Sequence, residues 1–147
     1  MNLFGVMNLS GSALEAERLR AEVVAANMAN AETTRTEGGG PYRRQHVVFE
    51  SEAAEPSSFA SHLLSEGGGE VGGVKIAAVV ADQGTGLRRY DPDHPDADKD
   101  GYVSYPDINP LTEMVDLMGA TRSFGLNSSA VQATKSMISS SLDILKS

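Results

Sequence analysis

Apolar residues repeat every seven positions near the start of the chain, at Met7, Leu14, Ala21 and Met28. Charged residues occupy most of the other positions between 15 and 22. A long apolar row with a charged opposite side predicts an amphipathic helix, here over about 2–30. The segment "AANMANAETT" predicts the end of this helix, because Asn and Thr are weak helix formers.

A second seven-residue repeat runs through the last third of the chain, at Leu117, Phe124, Val131, Ile138 and Leu145. Small and polar residues form a parallel row, at Ala120, Asn127, Thr134 and Ser141. The pair Asn109-Pro110 predicts the helix start, because Asn caps helices and Pro is tolerated at the first helical position. A helix over 110–146 would be about 50 Å long at 1.5 Å per residue.

A sustained seven-residue repeat needs a partner helix that stays alongside it. The two predicted helices share this period, so they predict a coiled-coil-like hairpin within one chain. The length of both rows also fits contacts between copies, and we favour self-assembly over a monomer. The predicted assembly interface therefore consists of both apolar rows: Met7, Leu14, Ala21, Met28, Leu117, Phe124, Val131, Ile138 and Leu145.

The middle of the chain has a different pattern. Short segments rich in β-branched residues predict strands at 45–50 and 74–82, and "GLRRYD" and "GYVSYP" are two further strand candidates. Residues 51–73 are acidic and rich in Ser and Gly, which is typical of a flexible loop. The predicted fold is mainly α with a small β element. It has three segments: an N-terminal axial helix at 1–34, a linker with the loop and β element at 35–109, and a C-terminal axial helix at 110–147.

The composition excludes several functions. The chain has 147 residues, 12 Lys and Arg, 20 Asp and Glu and a net charge of −8, so it has no basic surface for nucleic acid. Cysteine is absent, which excludes disulfides and thiol chemistry. The N-terminal sequence lacks the basic and apolar regions of a cleaved signal peptide. No apolar run is long enough to predict membrane insertion.

One stretch carries candidate metal chemistry. In "DADKDGYVSYPD", Asp96, Asp98 and Asp100 fall at positions 1, 3 and 5 of an EF-hand loop, Gly101 at position 6 and Asp107 at position 12. The preceding "YDPDHP" is not helical, however, and position 12 is normally Glu. A hydrogen-bonded acidic turn is therefore the favoured interpretation. A small calcium-binding module that uses the Asp96–Asp107 loop remains the alternative function.

Other chemical signals are weak. His46, His62 and His94 lack ligand spacing, and the triple glycines lack the Lys and Ser or Thr of a phosphate loop. We predict no catalytic residues, no metal and no cofactor.

Several motifs together resemble the flagellar basal-body rod proteins, and specifically their proximal-rod class. They are the Asn-rich helix end with Asn27, Ala29, Asn30 and Ala31, the segment "GGGPYRRQHVVF", and the block "YDPDHPDADKDGYVSYPDIN" followed by "EMVDLMGATRSF" and "ATKSMISSSLDIL". The chain has Asp107 where this family usually has Asn, and "RSFGLN" where Tyr-x-Ala-Asn is usual. The likeness spans nearly the whole chain outside 51–73.

This resemblance implies a structural subunit rather than an enzyme. Proteins of this family are exported through the flagellar type III apparatus without a cleaved signal peptide, and they assemble in the periplasm into a rod that passes torque to the hook. The implied partners are other rod proteins, the rod-base and MS-ring proteins and the export apparatus. We also expect the terminal helices to be partly disordered in an isolated subunit and to become ordered on assembly.

Overall fold

In the computed structural model, which describes residues 3–51 and 72–146, two long helices flank four short strands along the chain. Helix α1 spans Leu3–Ala29 and helix α2 spans Pro110–Lys146. The strands between them are β1 (Gln45–Ser51), β2 (Val74–Ala81), β3 (Leu87–Tyr90) and β4 (Tyr102–Tyr105). This architecture confirms the predicted fold class. The predicted flexible loop at 51–73 lies outside the described residues, apart from its first residue and its last two.

Helix α1 ends where asparagine side chains begin to compete for backbone groups. The amide Nδ2 of Asn30 donates to the carbonyl of Ala26 at 2.9 Å, and the backbone N–H of Asn30 donates to the same oxygen at 3.1 Å. The Thr33 hydroxyl then donates to Asn30 Oδ1 at 3.1 Å. The N–H of Asn30 still makes the regular i to i−4 bond, whereas the side-chain bonds of Asn30 and Thr33 compete with continuation of the helix, which is why the Asn-rich motif ends it.

Helix α2 begins as the Asn109-Pro110 pair predicts. The side-chain oxygen of Asn109 accepts the N–H of Leu111 at 3.0 Å, and its carbonyl accepts the N–H of Glu113 at 3.1 Å. The side-chain bond satisfies an N–H that would otherwise lack a partner in the first turn, and the carbonyl bond is the first regular hydrogen bond of the helix.

The strands form two separate two-stranded sheets, β1–β2 and β3–β4. Strands β3 and β4 are antiparallel, with Leu87 opposite Tyr105 and Tyr90 opposite Tyr102. Arginines of β3 stack on tyrosines of β4, with the guanidinium of Arg89 4.3 Å from the centre of the Tyr105 ring. This hairpin is held largely by surface contacts, because Val103 is the one residue of its strands that is buried.

The chain divides into two compact units. One comprises Met1–Arg18, Phe49–Ala77 and Thr121–Ser147, and the other comprises Leu19–Val48 and Ala78–Ala120. This division by contacts does not test the three predicted segments, which stay a prediction.

Each unit has a small core of its own. In the first unit Ser10, Ala16 and Thr134 are buried, and Ser12 Oγ accepts the N–H of Val74 at 3.1 Å. The second unit buries six apolar side chains: Val23, Val24, Val103, Pro106, Ile108 and Ala120. Small and β-branched residues dominate both cores, as expected from the low aromatic content.

Candidate functional site

The side chain of Asn27 is completely buried in the second unit, with 0 % of its surface exposed. Its Nδ2 donates to the carbonyl of Gln45 at 2.8 Å, and the N–H of Gln45 donates to its Oδ1 at 2.9 Å. Nδ2 also donates to Glu113 Oε2 at 3.0 Å, and the Tyr42 hydroxyl donates to Oδ1 at 3.3 Å. All four hydrogen-bonding positions of the amide are therefore used.

Glu113 brings a carboxylate into the same place, and its side chain is 1 % exposed. The Nε of Arg44 donates to Glu113 Oε1 at 2.7 Å, so both carboxylate oxygens have partners. Asp116 lies 3.6 Å from a guanidinium nitrogen of Arg44 and 3.6 Å from one of Arg20. A buried carboxylate is costly unless it is paired and hydrogen-bonded, and both conditions are met here.

These side chains, Asn27, Tyr42, Arg44, Gln45 and Glu113, form what we call the polar junction. Its electrostatics affect Tyr42, whose pKa is raised above 10.0, first by burial and then by the negative charge of Glu113. The phenol stays neutral and able to donate at physiological pH.

The polar junction connects three parts of the chain: the end of α1, the residues that lead into β1, and the first turn of α2. Asn27 lies opposite Glu113 and Arg20 lies opposite Asp116, so the two helices run in opposite directions here. A fully satisfied buried network fixes helix register, because a shift of either helix would leave polar atoms without partners.

The predicted apolar rows are mostly half-buried, whereas two of the four members of the small row of α2 are buried. Most of their members, Met7, Leu14, Ala21, Met28, Leu117, Val131 and Ile138, are half-buried. Phe124 is 42 % exposed, and the side chain of Leu145 lies outside the described residues. Within the small row, Ala120 and Thr134 are 0 % and 2 % exposed. The closest packing of α2 thus follows small residues, while contacts of the large row with other subunits stay a prediction.

An exposed apolar stripe, missed by the sequence analysis, runs along the first turns of α2. Leu111, Met114, Val115 and Met118 are between 51 and 70 % exposed. Their spacing of three and four residues places them on one face. We call this face the outer stripe. The sequence signal was present in this spacing, but it is shorter than the seven-residue row that dominates the helix.

The acidic loop uses its carboxylates for internal contacts. Asp98 Oδ1 accepts the N–H groups of Asp100 and Tyr102, both at 2.9 Å, and its Oδ2 accepts from Arg88 at 2.6 Å. These contacts, led by the N–H of Tyr102, lower the pKa of Asp98 below 3.8. Gly101 closes the turn with a φ of 78°, which favours glycine. Within residues 3–51 and 72–146, no group of three or more acidic or histidine side chains is placed to hold a metal.

Comparison with known families gives matches at both helices. Residues 7–35 match the family described as flagella basal body rod protein, and residues 99–144 match the family described as flagellar basal body rod FlgEFG protein C-terminal.

Similarity to individual proteins extends over the whole chain. The flagellar basal-body rod protein FlgC of Borreliella burgdorferi is 40 % identical, over 99 % of this chain and 99 % of that protein. FlgC of Bacillus subtilis is 41 % identical, over 99 % of this chain and all of that protein. FlgC of Salmonella typhimurium is 36 % identical, over 98 % of both. The chain belongs to the flagellar basal-body rod protein family.

Membership of the rod protein family confirms the resemblance found in the sequence. It also confirms the prediction that the chain is not an enzyme, because the family is structural. The calcium-binding alternative receives no support from the rod family matches or from the geometry of Asp98. Among the described helices, none combines the length and the apolar character that a bilayer span needs. Both Asn27 and Glu113 fall within the segments that match the rod family models.

Proposed function

We propose that this chain is a structural subunit of the proximal part of the flagellar rod, where it assembles helically with other rod proteins and transmits motor torque to the hook. The observation that carries this proposal is similarity to FlgC proteins along almost the entire chain. The long helices suit the task, because closely packed interiors are hard to compress and helices packed along their length resist twisting.

The proposed partners follow from the same position. They are other rod proteins, the rod-base and MS-ring proteins, and the flagellar type III export apparatus that would deliver the chain without a cleaved signal peptide. The proposed location is the periplasmic rod of the basal body. The long apolar rows support contacts with neighbours, since half-buried apolar surface gains stability when a second chain covers it.

Deletion and complementation test this function directly. Cells that lack the gene should form no complete rod and should not swim, and the wild-type chain should restore both properties. Electron microscopy of isolated basal bodies, with an antibody against the chain, gives the readout. Complete rods in the deletion strain would contradict the proposal.

Val131→Asp tests the predicted apolar row within this experiment. A buried, unpaired carboxylate costs several kcal/mol, so we expect this variant to accumulate in the cell but to enter few rods. Gln132→Asp, which adds the same charge at the neighbouring exposed position, is the matched control and should assemble normally. Normal swimming with Val131→Asp would count against an interface along this row.

A further inference from the structure

A free strand edge lies in the second unit, on the side of β4 that faces away from β3. The N–H of Asp91 donates to the carbonyl of Gly101 at 2.9 Å, which fixes the alternation of the antiparallel ladder. Val103 therefore exchanges hydrogen bonds with β3, whereas the N–H and C=O groups of Tyr102 and Ser104 point outward. Unpaired backbone groups of this kind form a template for another extended chain.

The acidic loop occupies only the first part of this edge. Asp98 takes both backbone groups of Tyr102, because its Oδ1 accepts the N–H at 2.9 Å and its own N–H donates to the carbonyl at 2.8 Å. Among the described residues, none is hydrogen-bonded to the outward N–H and C=O of Ser104. Pro106 has no N–H, so Ser104 carries the last backbone donor of this edge. The open part can form one pair of hydrogen bonds with an incoming strand.

Two adjoining cavities give room for such a strand. Their volumes are about 570 and 520 Å³, and both are lined by Ser104 and by the turn at 39–41. Gly39 and Gly40 have φ values of 81 and 77°, and a Cβ atom at either would meet nothing within 4 Å. Because glycine has no side chain, the turn leaves the approach to Ser104 open. We call the space between this turn and Ser104 the edge groove.

Charge decides which extended segment the edge groove can hold. Arg44 and Arg88 line the larger cavity but are already paired with carboxylates. Two exposed carboxylates and one exposed guanidinium of the same cavity make no ion pair with any described residue: Asp82, Asp107 and Arg43. The excess of free carboxylates favours a segment with a positively charged side chain.

We propose that the edge groove binds an extended segment bearing Lys or Arg from a different rod protein. The segment adds to β4 as a strand, exchanges two hydrogen bonds with Ser104 and places its basic side chain beside Asp82 and Asp107. A second copy of this chain is disfavoured, because copies with a net charge of −8 repel each other. The inference rests on the proposed function for the source of the segment and adds the chemistry that recognises it.

Titration of the full chain with synthetic peptides tests this chemistry apart from the rod. One peptide alternates Thr with Lys and the other alternates Thr with Glu, and the two have equal length. We expect the Lys peptide to bind about fivefold more tightly, because it can pair with the free carboxylates. It should also slow hydrogen exchange at the amide of Ser104 by about fivefold, through the new hydrogen bond. Equal affinity for the two peptides, or unchanged exchange at Ser104, would overturn the inference.

Ser104→Pro removes the outward N–H at a position that makes no hydrogen bond to β3, where an edge strand tolerates proline. We expect the Kd of the Lys peptide to rise about fivefold, whereas Ser104→Ala keeps the N–H and should bind like the wild type. Wild-type affinity in a folded Ser104→Pro variant would contradict the inference. Thermal unfolding checks the fold, and if this variant is unfolded, exchange at Ser104 in the wild type decides the question.

Asp107→Asn separates a local ion pair from attraction to the acidic chain as a whole. Asp143→Asn removes the same charge at an exposed position outside both cavities and is the matched control. We expect the Kd of the Lys peptide to rise about threefold with Asp107→Asn and to stay unchanged with the control. Equal losses in the two variants would show general charge attraction and overturn the inference.

Photocross-linking in basal bodies tests the source of the segment. A photoreactive residue at position 104 should link to a segment that carries Lys or Arg, in a protein other than this chain, as identified by mass spectrometry. The same probe at Lys99, which is exposed but lines neither cavity, should give far fewer of these links. Links only to further copies of this chain would overturn the choice of partner. Absence of the chain from basal bodies would contradict the proposed function, and with it the named source, whatever the peptides show.

Discussion

Asn27 shows how one side chain can specify a tertiary arrangement. Its amide pairs with the backbone of Gln45 and reaches a carboxylate 86 positions away in the sequence. Asparagine supplies two donors and two acceptors in a fixed plane, and no apolar residue of similar size could satisfy this backbone pair and Glu113 together. The stability of the junction should therefore depend on the amide and not simply on the volume of the side chain.

Asn27→Asp tests this dependence. At pH 7 the variant places two carboxylates side by side and removes a donor, so we expect a loss of about 3 kcal/mol in the free energy of unfolding. Like-charge repulsion raises the pKa of the pair in the folded state. The folded variant then binds more protons than the unfolded chain, and its stability should rise as the pH falls from 7 to 5. Urea unfolding at both pH values measures this, with Asn8→Asp, at an exposed position of α1, as the control.

The lowered pKa of Asp98 can be used to test which of its contacts lowers it most. The N–H of Tyr102 is the largest cause and Arg88 a smaller one. Carboxyl NMR titration should give a midpoint below 3.8, and Arg88→Ala should move it only part of the way back. The contribution of this group to loop order is present above the unfolded pKa and is lost as the pH falls through the folded one. Arg89→Ala, which removes a pairing with Asp91 instead, should leave the midpoint unchanged.

At the scale of single elements, the small row of α2 leads to a prediction about packing. Ala120 has no exposed surface, and a larger side chain there must displace its neighbours. We expect Ala120→Leu to destabilise the chain by about 1–3 kcal/mol, because overpacking forces strained side chains or backbone shifts. Ala133→Leu makes the same change at an exposed alanine of the same helix and should change stability little. Thermal unfolding of both variants gives the comparison, and equal stability would show that α2 is not closely packed at Ala120.

The elements that could be predicted from the sequence are those whose ends depend on interactions between residues close together in the chain. The start of α2 depends on Asn109 and Pro110, and the end of α1 depends on Asn30 and Thr33, all of which act on backbone groups within four residues. The strands likewise follow β-branched and aromatic runs between turn residues. Such interactions are encoded within a short window, so the helix and strand positions were predictable to within a few residues.

The polar junction and the outer stripe required the structure. From the sequence alone, Asn27 is interpreted as a weak helix former and as part of the Asn-rich family motif, because nothing local indicates Glu113 as its partner. The outer stripe was missed because the repeat of seven was assigned to large residues, whereas the closest packing follows Ala120 and Thr134. Which side of a helix is buried depends on the surfaces that meet it, and these are set by distant segments.

At the scale of the whole molecule, we expect the stability of α1 to differ along its length, because only its C-terminal part joins the polar junction. In dilute solution we expect amides of residues 3–18 to exchange with solvent much faster than those of residues 23–29, which the polar junction anchors. Uncovered apolar rows near the first turns provide little protection until a neighbour packs on them. Hydrogen exchange measured by mass spectrometry on the free chain and on isolated rods tests this, and strong protection throughout α1 in the free chain would contradict it.

The distribution of the junction residues along the chain also determines when folding can finish. The amide of Asn27 needs the carboxylate of Glu113, and Arg44 needs the same carboxylate for its short contact. A chain that enters a new compartment with its first residues leading can close this network only after residue 113 of 147 has followed. Until residue 113 is present the buried contacts of Asn27 and Arg44 cannot form, so the segment that carries Glu113 completes the fold of the second unit.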